Sequence, residues 1–225
     1  DGFAACYNRA STQWRRVMSE LLRIGTLGAA AITPGALIAP AAENDAVVVA
    51  AVAARDRGRA QAFADKHGIE SVYDSYDDVI NDGSLDAIYN PLPISHHLEY
   101  TIKALKAGRH VLCEKSFALN ATEAEEMAAV GRETGLVLLE AFHYRYHPLF
   151  LSAIDVMASG RLGRLQHVEA QFVVGTPKAD DIRMHYETGG GATKEWQSVT
   201  LTLTDVNTGT FTATITTVFG VSATA

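Results

Sequence analysis

From Leu22 to Val174 the chain alternates short, nearly continuous apolar runs with amphipathic stretches of helical length. Leu22 to Gly28, Ala46 to Ala54, Ala87 to Tyr89, His110 to Cys113 and Leu136 to Glu140 read as buried strands, with Val72-Tyr73 as a shorter one. Helix signals lie between them. Thr33 precedes Pro34 at a first helical position, and Asp56 precedes Arg57 to His67, which ends at Gly68. Ser75 opens a brief helix, Ser95 caps one that ends at Gly108, and Asn120 with Glu123 forms a capping box ahead of Ala121 to Thr134. Strands that are apolar throughout, separated by helices, predict a parallel sheet covered on both faces, a doubly wound α/β domain.

The pattern changes after Ala141. A helix near Pro148 to Ser159 and an alternating strand from Leu165 to Val174 are expected to begin a second domain. From Thr193 to the last residue, 11 of 33 residues are Thr, and alternation such as Phe211 to Thr216 predicts strands with one wet face, joined near Asn207-Thr208-Gly209. The expected organisation is a leader over residues 1–17, with Met18 as a plausible start, and a dinucleotide-binding domain over 18–141. A partial α/β substrate or oligomerisation domain follows over 142–225, with an atypical tail from 193.

Composition narrows the class. Charged residues are 20% and apolar residues 48%, with a net charge of −7, so no basic footprint for nucleic acid is present. No apolar run reaches the length of a membrane span, and Cys6 and Cys113 belong to no metal-spaced cluster. A soluble protein of a reducing cytoplasm is expected, with no bound metal.

Candidate chemistry falls at strand ends, because ligands of an open α/β sheet sit beyond its carboxyl edge. The turn Gly28-Ala29-Ala30-Ala31-Ile32-Thr33 follows the first strand. Gly28 permits a tight turn, and Ala30 lets backbone approach a pyrophosphate at a helix N-terminus, although a plain strand-to-helix turn fits these residues equally. The second strand ends in Ala54-Arg55-Asp56, where an arginine pairs with a 2′-phosphate and an acid would bind a 2′-hydroxyl; NADP is expected ahead of NAD. The alternative for Arg55 is a solvated loop charge. The segments PLPISHH (Pro91 to His97) and AGRHVLCEKS (Ala107 to Ser116) put Leu92, Pro93, His97, Glu114 and Lys115 at the next strand ends. Lys115 is suited to holding a substrate hydroxyl and favouring its alkoxide, and His97, near a helix N-terminus, to positioning in the neutral form.

These segments, with EAFHYRYHP (Glu140 to Pro148) and DIRMHYETGGGA (Asp181 to Ala192), resemble the Gfo/Idh/MocA oxidoreductases, in particular the branch of dihydrodiol dehydrogenases and NADP-dependent xylose dehydrogenases. The resemblance covers roughly Leu22 to Ala192. It implies a Rossmann domain followed by an α/β domain whose open sheet forms oligomer interfaces. The implied activity is hydride transfer between NAD(P) and a hydroxyl or carbonyl of a sugar, polyol or dihydrodiol. It also suggests Arg145 and Arg183 as cofactor or substrate clamps, Tyr144 and Tyr146 as aromatic walls, and His185 or Tyr186 near the reacting proton.

Five positions depart from the family pattern. Ile94 replaces an amide, Ser116 follows Lys115 in place of proline, Glu195 and Gln197 replace Asp and Gly, and Val199 stands where a proton-transferring His or Tyr is expected. The second domain therefore reads as truncated or altered, and its oligomer surface with it. A catalytically impaired NADP-binding protein, or an incomplete or mis-joined chain, is the alternative.

Overall fold

A computed structural model of the chain describes residues 21–161, 163, 202–205 and 209–212. Strands β1 (Leu22–Leu27), β2 (Val47–Ala53), β3 (Ser71–Tyr73), β4 (Ala87–Asn90), β5 (His110–Cys113) and β6 (Leu138–Glu140) form one sheet in the order β3-β2-β1-β4-β5-β6. Every pairing within it is parallel. The chain reverses its direction across the sheet between β1 and β4, the switch point at which such sheets open a crevice. Thr26 pairs with Tyr89 and Asn90 with Cys113, so the carboxyl ends of β1, β4 and β5 come out at one edge.

Helices cover both faces, as the continuous apolar runs require. On one face α3 (Tyr76–Asn81), α4 (His97–Lys106) and α5 (Ala121–Thr134) bury Val79, Ile80, Leu105 and Met127 against Leu27, Ile88 and Val111. On the other, Leu37 and Ala64, the latter from α2 (Arg57–His67), pack with Ile24, Val49, Val52 and Tyr89. Gly25 sets the depth of the first face. A Cβ there would lie 2.6 Å from Val79 Cγ1 and 2.7 Å from Leu85 Cδ1, so α3 rests directly on strand backbone.

Several helix ends follow the sequence reading. Asp56 Oδ1 accepts the Arg59 N–H at 2.7 Å, Gly68 closes α2 in a left-handed conformation, and Ser75 and Asp78 complete a capping box on α3. Three ends differ. Thr33 is not a side-chain cap, since its own backbone is already helical and its buried Oγ1 has no partner. The chain there makes a π-helical turn, Pro34–Ile38, in which Ala39 N–H reaches Pro34 O, before α1 (Ala39–Ala42). Pro40 lacks the N–H that an α-helix would direct to Ala36, and the wider turn accommodates that loss. Ser95 lies inside a 3₁₀ turn, Ile94–His96, and α4 proper begins at His97 with His96 at its N-cap. Glu123 closes its box one residue early: its Oε2 accepts Leu119 N–H at 3.1 Å, while Asn120 Oδ1 accepts Glu123 N–H at 3.0 Å.

The chain divides into two compact units, the first running to Leu92 and again from His96 to Ala141, the second holding Pro93–Ser95 and continuing from Phe142. In the second, a 3₁₀ turn (His143–Tyr146) leads to α6 (Pro148–Ala158), capped by His147 Nδ1 on Leu149 N–H. Further on, β7 (Thr202–Asp205) and β8 (Gly209–Thr212) pair antiparallel, in keeping with the strands expected in the Thr-rich tail. The expected strand Leu165 to Val174 lies outside the described residues. Among the described residues no helix is long and apolar enough to cross a membrane.

His110 ties β5 to the segment before β6. Its Nδ1 accepts Val137 N–H at 3.0 Å, a bond that needs the ring unprotonated. Burial lowers its pKa below the ordinary value, against an upward pull from Asp86. A histidine with a depressed folded pKa contributes stability above the unfolded value and loses it as pH falls through the folded one. The thermal midpoint should therefore decline as the pH falls below about 6.5, the ordinary imidazole value. His110→Asn, which keeps an acceptor without a titrating ring, should flatten that decline. An unchanged slope in the variant would show that His110 is not its source.

Candidate functional site

Three strand-end loops of the first unit define the site. After β1, Gly28 adopts φ +92°, and a Cβ there would meet Leu92 Cδ2 at 3.3 Å; its N–H donates to Ala53 O at 2.6 Å. Only glycine combines that conformation with so close an approach. Ala29 and Ala30 are half-buried, whereas Ala31 and Ile32 are exposed at the start of the helical turn.

After β2 the chain carries Arg55, Arg57 and Arg59 beside Tyr76. Arg57 is committed to Asp74 at 2.5 Å. Among the described residues Arg55 and Arg59 form no ion pair, and both charges act on the Tyr76 phenol. Burial is the larger influence on that phenol and raises its pKa; the arginines oppose it.

The loops after β4 and β5 are joined by His97. The ring is fully buried, with Nε2 2.7 Å from Leu92 O and Nδ1 3.0 Å from Ser116 O and 3.2 Å from Phe117 O. Burial pushes its pKa below the ordinary imidazole value, while the three carbonyls and the Glu114 charge pull it back up. A neutral ring has one N–H, so it donates to one loop and is held by packing against the other. His97 is the first residue of α4, and its ring contacts are with backbone carbonyls of the two loops.

Beyond β5, Glu114 is buried and Lys115 exposed. Glu114 N–H continues the ladder to Asn90 O at 3.0 Å, its Oε1 accepts Tyr89 Oη–H at 2.7 Å, and its Oε2 accepts Lys115 N–H at 3.2 Å. Glu140, at the end of β6, accepts Phe117 N–H at 2.9 Å. Its pKa is raised by burial, with the Phe117 N–H opposing and the Glu114 charge adding. Burial also lifts the Cys113 thiol to about 12, which keeps it a neutral packing group. The Lys115–Ser116 peptide bond is cis.

Of the residues singled out in the sequence, Gly28, Leu92, His97, Glu114 and Lys115 share the carboxyl edge of β1, β4 and β5. Arg55 stands at the end of β2, and Ala29, Ala30 and Ile32 in the first turn. Pro93, Tyr144 and Arg145 belong to the second unit, where Tyr144 packs edge-on against Phe150 with ring centroids 5.0 Å apart. Tyr146 is exposed there. Arg183, His185, Tyr186, Glu195, Gln197 and Val199 lie outside the described residues. Sequence reasoning missed Tyr89, Asn90 and Glu140. A polar residue closing an otherwise apolar strand was the available signal for the last two.

A family model described as GFO_IDH_MocA, an oxidoreductase family with an NAD-binding Rossmann fold, matches residues 22–142. A D-xylose 1-dehydrogenase (NADP(+)) of Haloferax volcanii is 40% identical over 172 residues, which is 76% of this chain and 52% of the relative. A trans-1,2-dihydrobenzene-1,2-diol dehydrogenase of Bos taurus is 40% identical over 124 residues, covering 55% of this chain and 37% of that one. The crystal structure of a 3-ketoreductase from Actinomadura kijaniata, in complex with NADP and TDP-benzene, superposes with a TM-score of 0.69 at 32% identity, covering 76% and 52% of the two chains. The chain spans about half the length of the first of these relatives.

The His97 bridge can be tested directly. His97→Leu removes the donor shared among Leu92, Ser116 and Phe117 and should cost about 1–3 kcal/mol in urea unfolding. His97→Gln, which can still donate, should recover part of it. Equal stability of parent and His97→Leu would reduce the ring to a space-filling role.

Proposed function

The chain belongs to the Gfo/Idh/MocA oxidoreductase family, and from that premise we propose that its first domain holds NADP and that the protein moves a hydride between nicotinamide and a sugar-like alcohol or carbonyl. The observation that carries this reading is the convergence of the Gly28 turn, the Leu92 loop and the Glu114-Lys115 loop at the switch point of one parallel sheet. The NADP named for the xylose dehydrogenase and present with the 3-ketoreductase supports the choice of cofactor.

The residues present fit such a group. Gly28 leaves free the space that a Cβ would fill beside Leu92, and the turn through Ala29, Ala30 and Ile32 would hold the pyrophosphate at the helix start. Arg55, free of carboxylate partners among the described residues, would hold a 2′-phosphate, whereas NAD would leave its charge without a counterpart. Leu92, Glu114 and Lys115 complete the cofactor side within the first unit in this reading, and Pro93 and Arg145 are assigned to it from the sequence alone. When bound, the dinucleotide supplies the hydride acceptor or donor.

The protein's own part is polarisation and positioning. Lys115 Nζ donates a hydrogen bond to the substrate oxygen and stabilises it as charge develops there. His97 holds the loops on either side of that point. On the sequence alone, Tyr144, Arg183 and His185 are assigned to the substrate side, residues 18–141 to dinucleotide binding and 142–225 to substrate and oligomer contacts. The substrate class is a sugar, polyol or dihydrodiol, and the setting is cytoplasmic. A second reading, a dinucleotide-binding protein without turnover, rests on Val199 at the position of the family's proton-transferring His or Tyr.

Two measurements test the reading. Fluorescence titration should show NADPH binding more tightly than NADH, and Arg55→Asp should reduce or reverse the preference by roughly tenfold, about 1.4 kcal/mol. Tighter NADH binding by the parent chain would remove Arg55 from the site. A turnover screen over sugars, polyols and dihydrodiols, followed by nicotinamide absorbance, should lose any activity in Lys115→Ala, a far larger loss than any change in NADPH affinity. Cofactor binding without turnover of any substrate by the parent would favour the second reading.

A further inference from the structure

Lys115 lies two residues past β5 and is itself exposed, so its direction is set by the backbone of residues 114–117. That backbone is held at three points by side chains: His97 on the Ser116 and Phe117 carbonyls, Glu140 on Phe117 N–H, and Glu114 on Lys115 N–H. Two of these points use carboxylates, and the one next to Lys115 is the more deeply buried, with 6% of Glu114 exposed.

A carboxylate removed from water needs donors at both oxygens. Glu114 has one from the following residue and one from Tyr89, whose Oη–H reaches Oε1 at 2.7 Å. That distance is short enough for a charge-assisted bond. Tyr89 is 1% exposed, its ring packed in the core on the face of Ile24, Val49 and Val52, and Glu114 is the hydrogen-bond partner of its hydroxyl. Burial and the Glu114 bond raise the phenol pKa far above its ordinary value, so Tyr89 remains a donor at any pH at which the fold persists.

We propose that Tyr89 is a positioning residue for Lys115: its hydroxyl fixes the Glu114 carboxylate, and that carboxylate holds the Lys115 N–H and so aims the side chain. This rests on the role given to Lys115 above, though the linkage from Tyr89 to the Lys115 backbone is open to test without turnover. The rigid part of the linkage is β4, whose Tyr89 pairs with Leu112 of β5. The strand core thus reaches the loop through a phenol and a carboxylate.

Tyr89→Phe in the full chain keeps the ring and deletes only the hydroxyl. Amide hydrogen exchange at Lys115 should accelerate by about tenfold or more, while the ladder amides of β4 and β5 retain their protection. The ¹³C-methyl resonance of reductively methylated Lys115 should shift, a change that loss of global stability alone would not produce. Glu114→Gln, with Tyr89 intact, should give the same local signature and covers the case in which Tyr89→Phe folds poorly. The double variant should be no worse than the stronger single one, as expected of two groups in one linkage. Unchanged Lys115 exchange and resonance in both variants, or exchange rising evenly throughout β4 and β5, would overturn the proposal. Failure of the parent chain to bind NADPH would instead overturn the functional reading, leaving the exchange result to stand by itself.

Discussion

The buried imidazole of His97 is the constraint on which the site depends. Loops that leave a parallel sheet have no ladder to hold them, and the loops after β4 and β5 would each be free to move at the edge where a ligand must fit. One ring lies between them, against Leu92 O on one side and Ser116 O and Phe117 O on the other. Leu92 in turn limits the space above Gly28, and Ser116 is the neighbour of Lys115. A continuous set of contacts therefore runs from the turn of β1 to the lysine beyond β5, and every member of it is within the first compact unit.

The same contacts bear on Ser116, one of the positions at which the sequence departs from the expected motif. The contacts that locate the Lys115 loop come from elsewhere: Glu114 is steadied by Tyr89, Phe117 by Glu140, and both neighbouring carbonyls by His97. Those groups lie on β4, β6 and α4, elements fixed by burial of apolar side chains rather than by the loop's own sequence.

The sheet was largely legible because its strands are apolar throughout and its helices carry local stop signals. Asp56, Ser75 and Gly68 act within four residues of themselves and need no tertiary information. Thr33 and Ser95 looked equivalent but were misleading: a proline downstream widened one turn, and a 3₁₀ turn entered α4 one step later than a side-chain cap would have placed it. At the site, Gly28, His97 and Lys115 stood out because each sits in a recognisable run at a strand end. Tyr89 did not. A tyrosine in AIYN reads as core, and the group that gives its hydroxyl a purpose is 25 positions away. Glu140 was placed at a strand end, yet its bond to Phe117 spans 23 positions and exists only because β5 and β6 are neighbours.

Gly25 carries a consequence of another kind. With Val79 and Leu85 already within contact distance of where its side chain would begin, this position admits no gradual enlargement; even a methyl group would force the side chains of Val79, on α3, and Leu85 to give way together. Tyr76 opens that same helix, and its hydroxyl lies 3.9 Å from the Cβ position of Gly28. Drift in the loops can thus be absorbed one side chain at a time, whereas drift at Gly25 would disturb Val79 and Leu85 together. The missing side chain of Gly25 closes a route that sequence variation could otherwise take, and it does so from inside the sheet, out of reach of any ligand.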